Sequence, residues 1–166
     1  MLYIISNMHL TQFSDIGLRL LMYLARETRE TPAVTIAEIS TQFGIPRNHM
    51  MKVAGKLARD GWIRATRGRI GGISLARASS EMRLGQIARA LEGEKDLVEC
   101  EKLNCRLSSN CELRAVLGKA HAAFYAALDE YTLEDIVGGA TGDTLLGMHN
   151  GFLAIHFRTP TVSTQT

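Results

Sequence analysis

The chain has 166 residues, 46% of them apolar and 22% charged, with three prolines and a formal charge of +2. This excludes disorder over most of the length and leaves room for one domain with a hydrophobic core plus an appendage. No apolar run approaches the roughly eighteen residues that cross a bilayer, and the start MLYIIS lacks the basic region of a signal peptide, so a cytoplasmic protein with no membrane partner is expected.

The spacing of Ile16, Leu18, Leu20, Leu21, Tyr23, Leu24 and Ala25 predicts a helix over 14–30, capped by Ser14 or Thr11 and too apolar to lie exposed. After Thr31-Pro32, the pattern Thr35-Ile36-Ala37-Glu38 predicts a capping box, in which each side chain satisfies the other's free amide, and a short helix to Phe43 that Gly44 ends. Pro46 suits the first turn of a third helix through Met50, Val53, Ala54 and Leu57 to Asp60-Gly61. Two helices joined by a tight glycine turn predict a helix-turn-helix. Residues 62–75 then predict two short strands around a Gly- and Arg-rich hairpin, a wing.

Charge marks the same region. Gly44 to Arg89 carries ten Lys or Arg against Asp60 and Glu81, a local +8, whereas the remaining residues carry a net −6. Such segregation points to a polyanion rather than to a basic face kept only for solubility. Arg47, Asn48, Met51 and Lys52 lie on the side of the third helix opposite Met50, Val53 and Leu57, as in a helix that enters a major groove, and His49 at its leading end is a further DNA candidate whose alternative is a packed or partly exposed histidine. Arg47 and Asn48 are the base-reading candidates, since Arg suits guanine and Asn suits adenine; the alternative for Asn48 is a helix cap. Arg64, Arg67 and Arg69 on the hairpin are candidates for phosphate or the minor groove.

Leu84, Ile87, Ala88 and Leu91 predict a further amphipathic helix ending at Gly93. The chain's three cysteines follow within one twelve-residue stretch, at Cys100, Cys105 and Cys111. An odd count rules out a simple disulfide framework, and tight spacing is how a loop brings several thiolates to one metal, either zinc or an iron–sulfur cluster. Three thiolates leave a four-coordinate centre one ligand short. Glu99, Glu101 and His121 are candidates for that position.

From Glu112 to about Tyr131 the apolar positions Leu113, Val116, Leu117, Ala120, Ala123, Phe124, Ala127 and Leu128 form a stripe wider than one packing partner needs. A homodimer would use the excess; the alternative is a helix packed on its own domain. Thr132 begins a last short helix, and from Gly138 the composition of Gly, Thr and Ser predicts a flexible tail. No P-loop, GxGxxG, HExxH or GxSxG is present, so an enzyme is not expected.

Residues 9–19 (HLTQFSDIGLR), 47–50 (RNHM), 67–73 (RGRIGGI), the three cysteines and 131–137 (YTLEDIV) together resemble the Rrf2 family of dimeric winged-helix regulators, in its nitric-oxide-sensing branch. The resemblance covers about residues 8–137. It implies a mainly helical winged helix-turn-helix with a two-stranded wing, a cysteine loop and a long dimerisation helix. It also implies a repressor of a palindromic operator in double-stranded DNA, with an iron–sulfur cluster of two or four irons on Cys100, Cys105 and Cys111 that nitric oxide attacks. Asp15 of the partner subunit is the implied fourth ligand; read by itself, Asp15 is a carboxylate at the favourable end of a helix dipole. The branch that regulates iron–sulfur assembly is expected to carry a histidine soon after its third cysteine, where this chain has Glu112-Leu113-Arg114. The expected organisation is a DNA-binding domain over 8–92, a cluster-binding loop over 93–111, dimerisation and short helices over 112–137, and the tail over 138–166. The rival classes are a zinc-stabilised winged-helix interaction module and a thiol redox enzyme.

Overall fold

The computed structural model describes residues 10–29, 32–66, 68, 71–93, 97–98, 100, 105–107 and 109–157. Among these residues, seven α-helices and one two-stranded sheet follow in the order α1 (Gln12–Ala25), α2 (Ile36–Phe43), α3 (Arg47–Arg59), β1 (Ile63–Thr66), β2 (Gly72–Leu75), α4 (Leu84–Glu92), α5 (Glu112–Asp129), α6 (Leu133–Ile136) and α7 (Gly139–His156).

Helix α1 is the centre of the molecule. Thr11 caps it, its hydroxyl accepting from the Ser14 amide, and Leu20, Leu21 and Tyr23 are wholly buried. Around it pack Met50, Val53 and Leu57 from α3, Ile39 from α2, Ile73 from β2, Ile87 and Leu91 from α4, and Leu133 from α6. Each such side chain contributes about 1.5–3 kcal/mol by leaving water, so the recognition elements hang on a rigid apolar hub. The helix ends at Ala25, short of the expected residue 30.

Gly44 stops α2 in a left-handed conformation (φ 62°), which lets the Ile45 amide turn back to the Ser40 carbonyl before α3 begins. Pro46 is the residue before α3, and it supplies no side-chain cap. In the wing, β1 and β2 pair antiparallel with Ile63 opposite Leu75 and Thr66 opposite Gly72. Trp62 and Ile63 are buried at the root of the wing, and Arg77 lies over the Trp62 ring at 4.9 Å.

Two expectations need correction. Thr35 does accept from the Glu38 amide at 3.2 Å, but the Glu38 carboxylate does not return to Thr35; it is buried and bound by Tyr23 and Arg29. The predicted flexible tail from residue 138 is instead the eighteen-residue helix α7 up to His156. Gly and Thr favour helices weakly, but Gly142, Leu145 and His149 recur at helical spacing and bury one face against the end of α1 and α2, and that packing overrides propensity. Gly142 is required there, since a Cβ would overlap the Val137 carbonyl. Residues 1–9 and 158–166 lie outside the described residues.

Candidate nucleic-acid interface and cysteine loop

Helix α3 is two-sided for a local reason: Met50, Val53, Ala54 and Leu57 fall on one face and are drawn into the hub. That leaves Arg47, Asn48, His49, Met51 and Lys52 exposed on the other. Asn48 lies inside the helix and does not cap it, so the capping alternative is closed. Among the described residues, the side chains of Arg47, Asn48, His49 and Lys52 hold no hydrogen bond or ion pair, which leaves their donors free for an incoming ligand. Arg64 is exposed on β1, with one guanidinium nitrogen 3.5 Å from the Leu75 carbonyl. Arg67 and Arg69 at the wing tip lie outside the described residues. Arg77, which the sequence analysis did not single out, adds a guanidinium at the wing's base.

The three thiols are free and each is partly buried. The Cys105 amide donates to the Cys100 carbonyl at 3.1 Å. Cys111 stands immediately before α5, and the Ala115 amide binds its carbonyl. Cys111 thus stands at the N-terminus of an eighteen-residue helix. The donor set therefore suits a soft metal centre in its chemistry. Glu99 and Glu101 lie outside the described residues, whereas His121 is on α5 with its ring edge-on to Tyr125 at 4.9 Å. Asp15 is half-exposed in the first turn of α1 and pairs with Arg19 at 2.9 Å.

Helix α5 is attached to the hub chiefly through α4. Tyr125 is its one buried residue, Arg89 sits over the Tyr125 ring at 5.1 Å, and Arg89 forms an ion pair with Asp129. Leu113 (63% exposed), Val116 (60%) and Phe124 (47%) face outward. The reading of α5 as a helix packed only on its own domain leaves that apolar stripe uncovered.

Residues 10–139 match the Rrf2 family, described as iron-dependent transcriptional regulators. The chain belongs to the Rrf2 family. It is thus a transcriptional regulator and not an enzyme, and the winged-helix architecture expected from its sequence is the one it has. Its fold is similar to that of oxidised CymR of Staphylococcus aureus, with 24% identity over 80% of this chain and 98% of that one and a TM-score of 0.62. The T. potens IscR structure is also similar, at 22% identity over 79% of this chain and 87% of that one, with a TM-score of 0.58. A putative transcriptional regulator from Listeria innocua matches over 95% of this Rrf2 chain and 94% of its own, at 20% identity and a TM-score of 0.63. Among the described residues, no helix is long and apolar enough to cross a membrane.

One group in the structure escaped the sequence analysis. Glu27, Glu38 and His149 bring their ligand atoms within 4.8 Å of one another, with Arg29 and Tyr23 among them. Tyr23 donates to Glu38 at 2.7 Å; burial first, and then that bond, pushes its hydroxyl far above the usual tyrosine range. Two signals pointed to the group: a carboxylate on the inward face of α2, and a histidine in helical step with Leu145 and Phe152.

Proposed function

We propose that this chain is a dimeric repressor that binds a palindromic operator and releases it when nitric oxide attacks an iron–sulfur cluster held by Cys100, Cys105 and Cys111. The observation that carries this reading is three free thiols between α4 and α5 in a chain that also carries an exposed basic recognition helix. The sequence segments at 47–50 and 131–137 favour the nitric-oxide-sensing NsrR branch over others of the family. A cluster of two or four irons supplies a centre that nitric oxide can attack.

The residues of the chain do the rest. Cys111 stands at the start of α5, and the Cys105 amide donates to the Cys100 carbonyl, so a group bound by all three would fix segment 93–111 and with it the seat of α5 on α4. Asp15 from the partner subunit is the fourth ligand in this reading, and its pairing with Arg19 opens when it is used. Arg47 and Asn48 read bases in the major groove, with His49 and Lys52 beside them, while Arg64, Arg67 and Arg69 meet the backbone or minor groove. In the dimer, α5 sets the spacing of the two α3 helices. A coupling of about 1–3 kcal/mol between loop and operator amounts to a roughly 5- to 150-fold change in affinity, so a small displacement suffices.

Anaerobic purification tests the reading first: a brown protein with broad visible absorption supports it, whereas a colourless protein with bound zinc points to a structural metal instead. Operator binding followed by fluorescence anisotropy should then weaken by roughly 5- to 150-fold when nitric oxide is added. If Cys105→Ala protein lacking a cluster binds the operator as tightly as loaded wild type, the switch assignment is wrong.

A further inference from the structure

Helix α7 touches the rest of the molecule through a narrow face, and His149 is the polar member of that face. The ring is 4% exposed and lies 3.7 Å, centroid to centroid, from the ring of Tyr23. Its Nε2 is 2.9 Å from the Tyr23 backbone carbonyl, and Nδ1 is 3.0 Å from Glu27 Oε2 and 3.9 Å from Glu38 Oε1. A carbonyl only accepts, so Nε2 carries a hydrogen. A neutral ring with its hydrogen on Nε2 turns the Nδ1 lone pair toward a carboxylate oxygen, two buried acceptors 3.0 Å apart. Nδ1 and Glu27 Oε2 are both buried without a hydrogen-bond partner in good geometry. A second proton on the ring converts that conflict into an ion pair.

The charges around the ring agree. From the segment after α1 come Glu27 and Arg29, from α2 comes Glu38, and from the end of α1 come the neutral Tyr23 and Arg26. Arg29 pairs with both carboxylates, leaving this group one positive charge short of neutral. Arg26 lies beside Gly142, two turns earlier on α7, and makes no ion pair with either carboxylate. The spacing of Glu27, Glu38 and His149 also suits a divalent metal ion. Arg29 opposes that occupant: its guanidinium already sits on both carboxylates, and the Glu38 oxygen nearest His149 accepts from Tyr23 and Arg29 together.

We propose that α7 is a proton-operated strap, latched onto α1 and α2 when His149 takes a second proton from solvent and released when it gives that proton back. The docked form holds the extra proton between His149 and Glu27, so docking weakens as pH rises. Release uncovers the Glu27–Arg29–Glu38 group beside α2, the first helix of the helix-turn-helix. The strap depends neither on the cysteine loop nor on bound DNA.

Hydrogen exchange followed by mass spectrometry on the full chain, at pH 5.5 and 8.5 and corrected for the chemical exchange rate, tests this. Peptides over 139–156 should lose roughly tenfold in protection at the higher pH, the scale on which one proton stabilises a paired histidine. Peptides over α1 and α3 should keep theirs. His149→Gln still donates to the Tyr23 carbonyl but takes no second proton, so its α7 protection should not vary with pH. Glu27→Gln offers an amide hydrogen to neutral Nδ1, and should hold α7 docked at pH 8.5 more firmly than wild type. Equal protection of wild-type α7 at both pH values, an unchanged pH dependence in His149→Gln, or loss of α7 protection in Glu27→Gln at both pH values would each overturn the proposal. So would zinc restoring protection to the wild type at pH 8.5, since a metal ion would then be the closing cation.

Discussion

Glu38 carries a charge into the interior, where its Oε1 accepts from the Tyr23 hydroxyl at 2.7 Å and from Arg29 at 2.5 Å. Tyr23→Phe keeps the ring and its edge contact with Phe43 but leaves that oxygen one donor short. The expected cost is about 1–3 kcal/mol, read as a lower midpoint in chemical denaturation. Leu20→Ala at the hub should cost more, about 2–5 kcal/mol, because it leaves a hole that α1 cannot move to fill. On the recognition face the signature is different. Arg47→Ala should relax base preference at one operator position by about 1–3 kcal/mol, whereas Arg64→Ala should weaken all DNA alike and shallow the logarithmic salt slope by about one. Residue types and helical spacing are enough to mark the exposed side of α3 in the sequence. They could not show that Tyr23 and Arg29, separated from Glu38 along the chain, outcompete Thr35 for its carboxylate.

Helix α6 spans four residues, and a short helix depends on its cap. Thr132 accepts from the Asp135 amide, while Asp135 accepts from the Thr132 amide and hydroxyl at 2.7 Å. Those bonds from Thr132 hold the Asp135 carboxyl below its usual range. A depressed carboxylate stabilises the folded state above its ordinary range, and that contribution disappears as pH falls through the lowered value. Thr132→Ala should therefore lower stability near neutrality, and the deficit should shrink in acid. The cap also keeps α6 beside α4, since the Leu133 amide binds the Met82 carbonyl and the Leu84 amide binds the Tyr131 carbonyl. Helices α1 to α6 and strands β1 and β2 follow from apolar spacing, caps and glycine stops in the sequence. Helix α7 does not, because its glycines and threonines argue for a loop and only its fit against α1 and α2 makes it a helix.

Across the whole molecule, the winged helix-turn-helix supplies the core and α5 projects from it, bound on one side to α4. Val116→Glu places a charge on the uncovered stripe and touches nothing in the hub, so the chain should still fold while sedimentation equilibrium shows monomers where the wild type shows dimers. Operator affinity should fall with it, because two half-sites can then be held only one at a time. The width of the stripe is legible in the sequence, but that α5 leans on α4 for its main anchorage within the chain is a tertiary fact, which no local pattern of residues encodes.

That stripe of Leu113, Val116 and Phe124 has a thermodynamic corollary. In the proposed dimer, a face that is dry only in the paired form couples folding to association, with the partner subunit acting as a ligand of the folded state. The stabilisation then grows with the logarithm of subunit concentration, reaching about 2.7 kcal/mol at a hundredfold excess over the dissociation constant. Wild-type Tm should climb as protein is concentrated, and that of Val116→Glu should stay level. For the proposed dimer, dilution alone lowers stability.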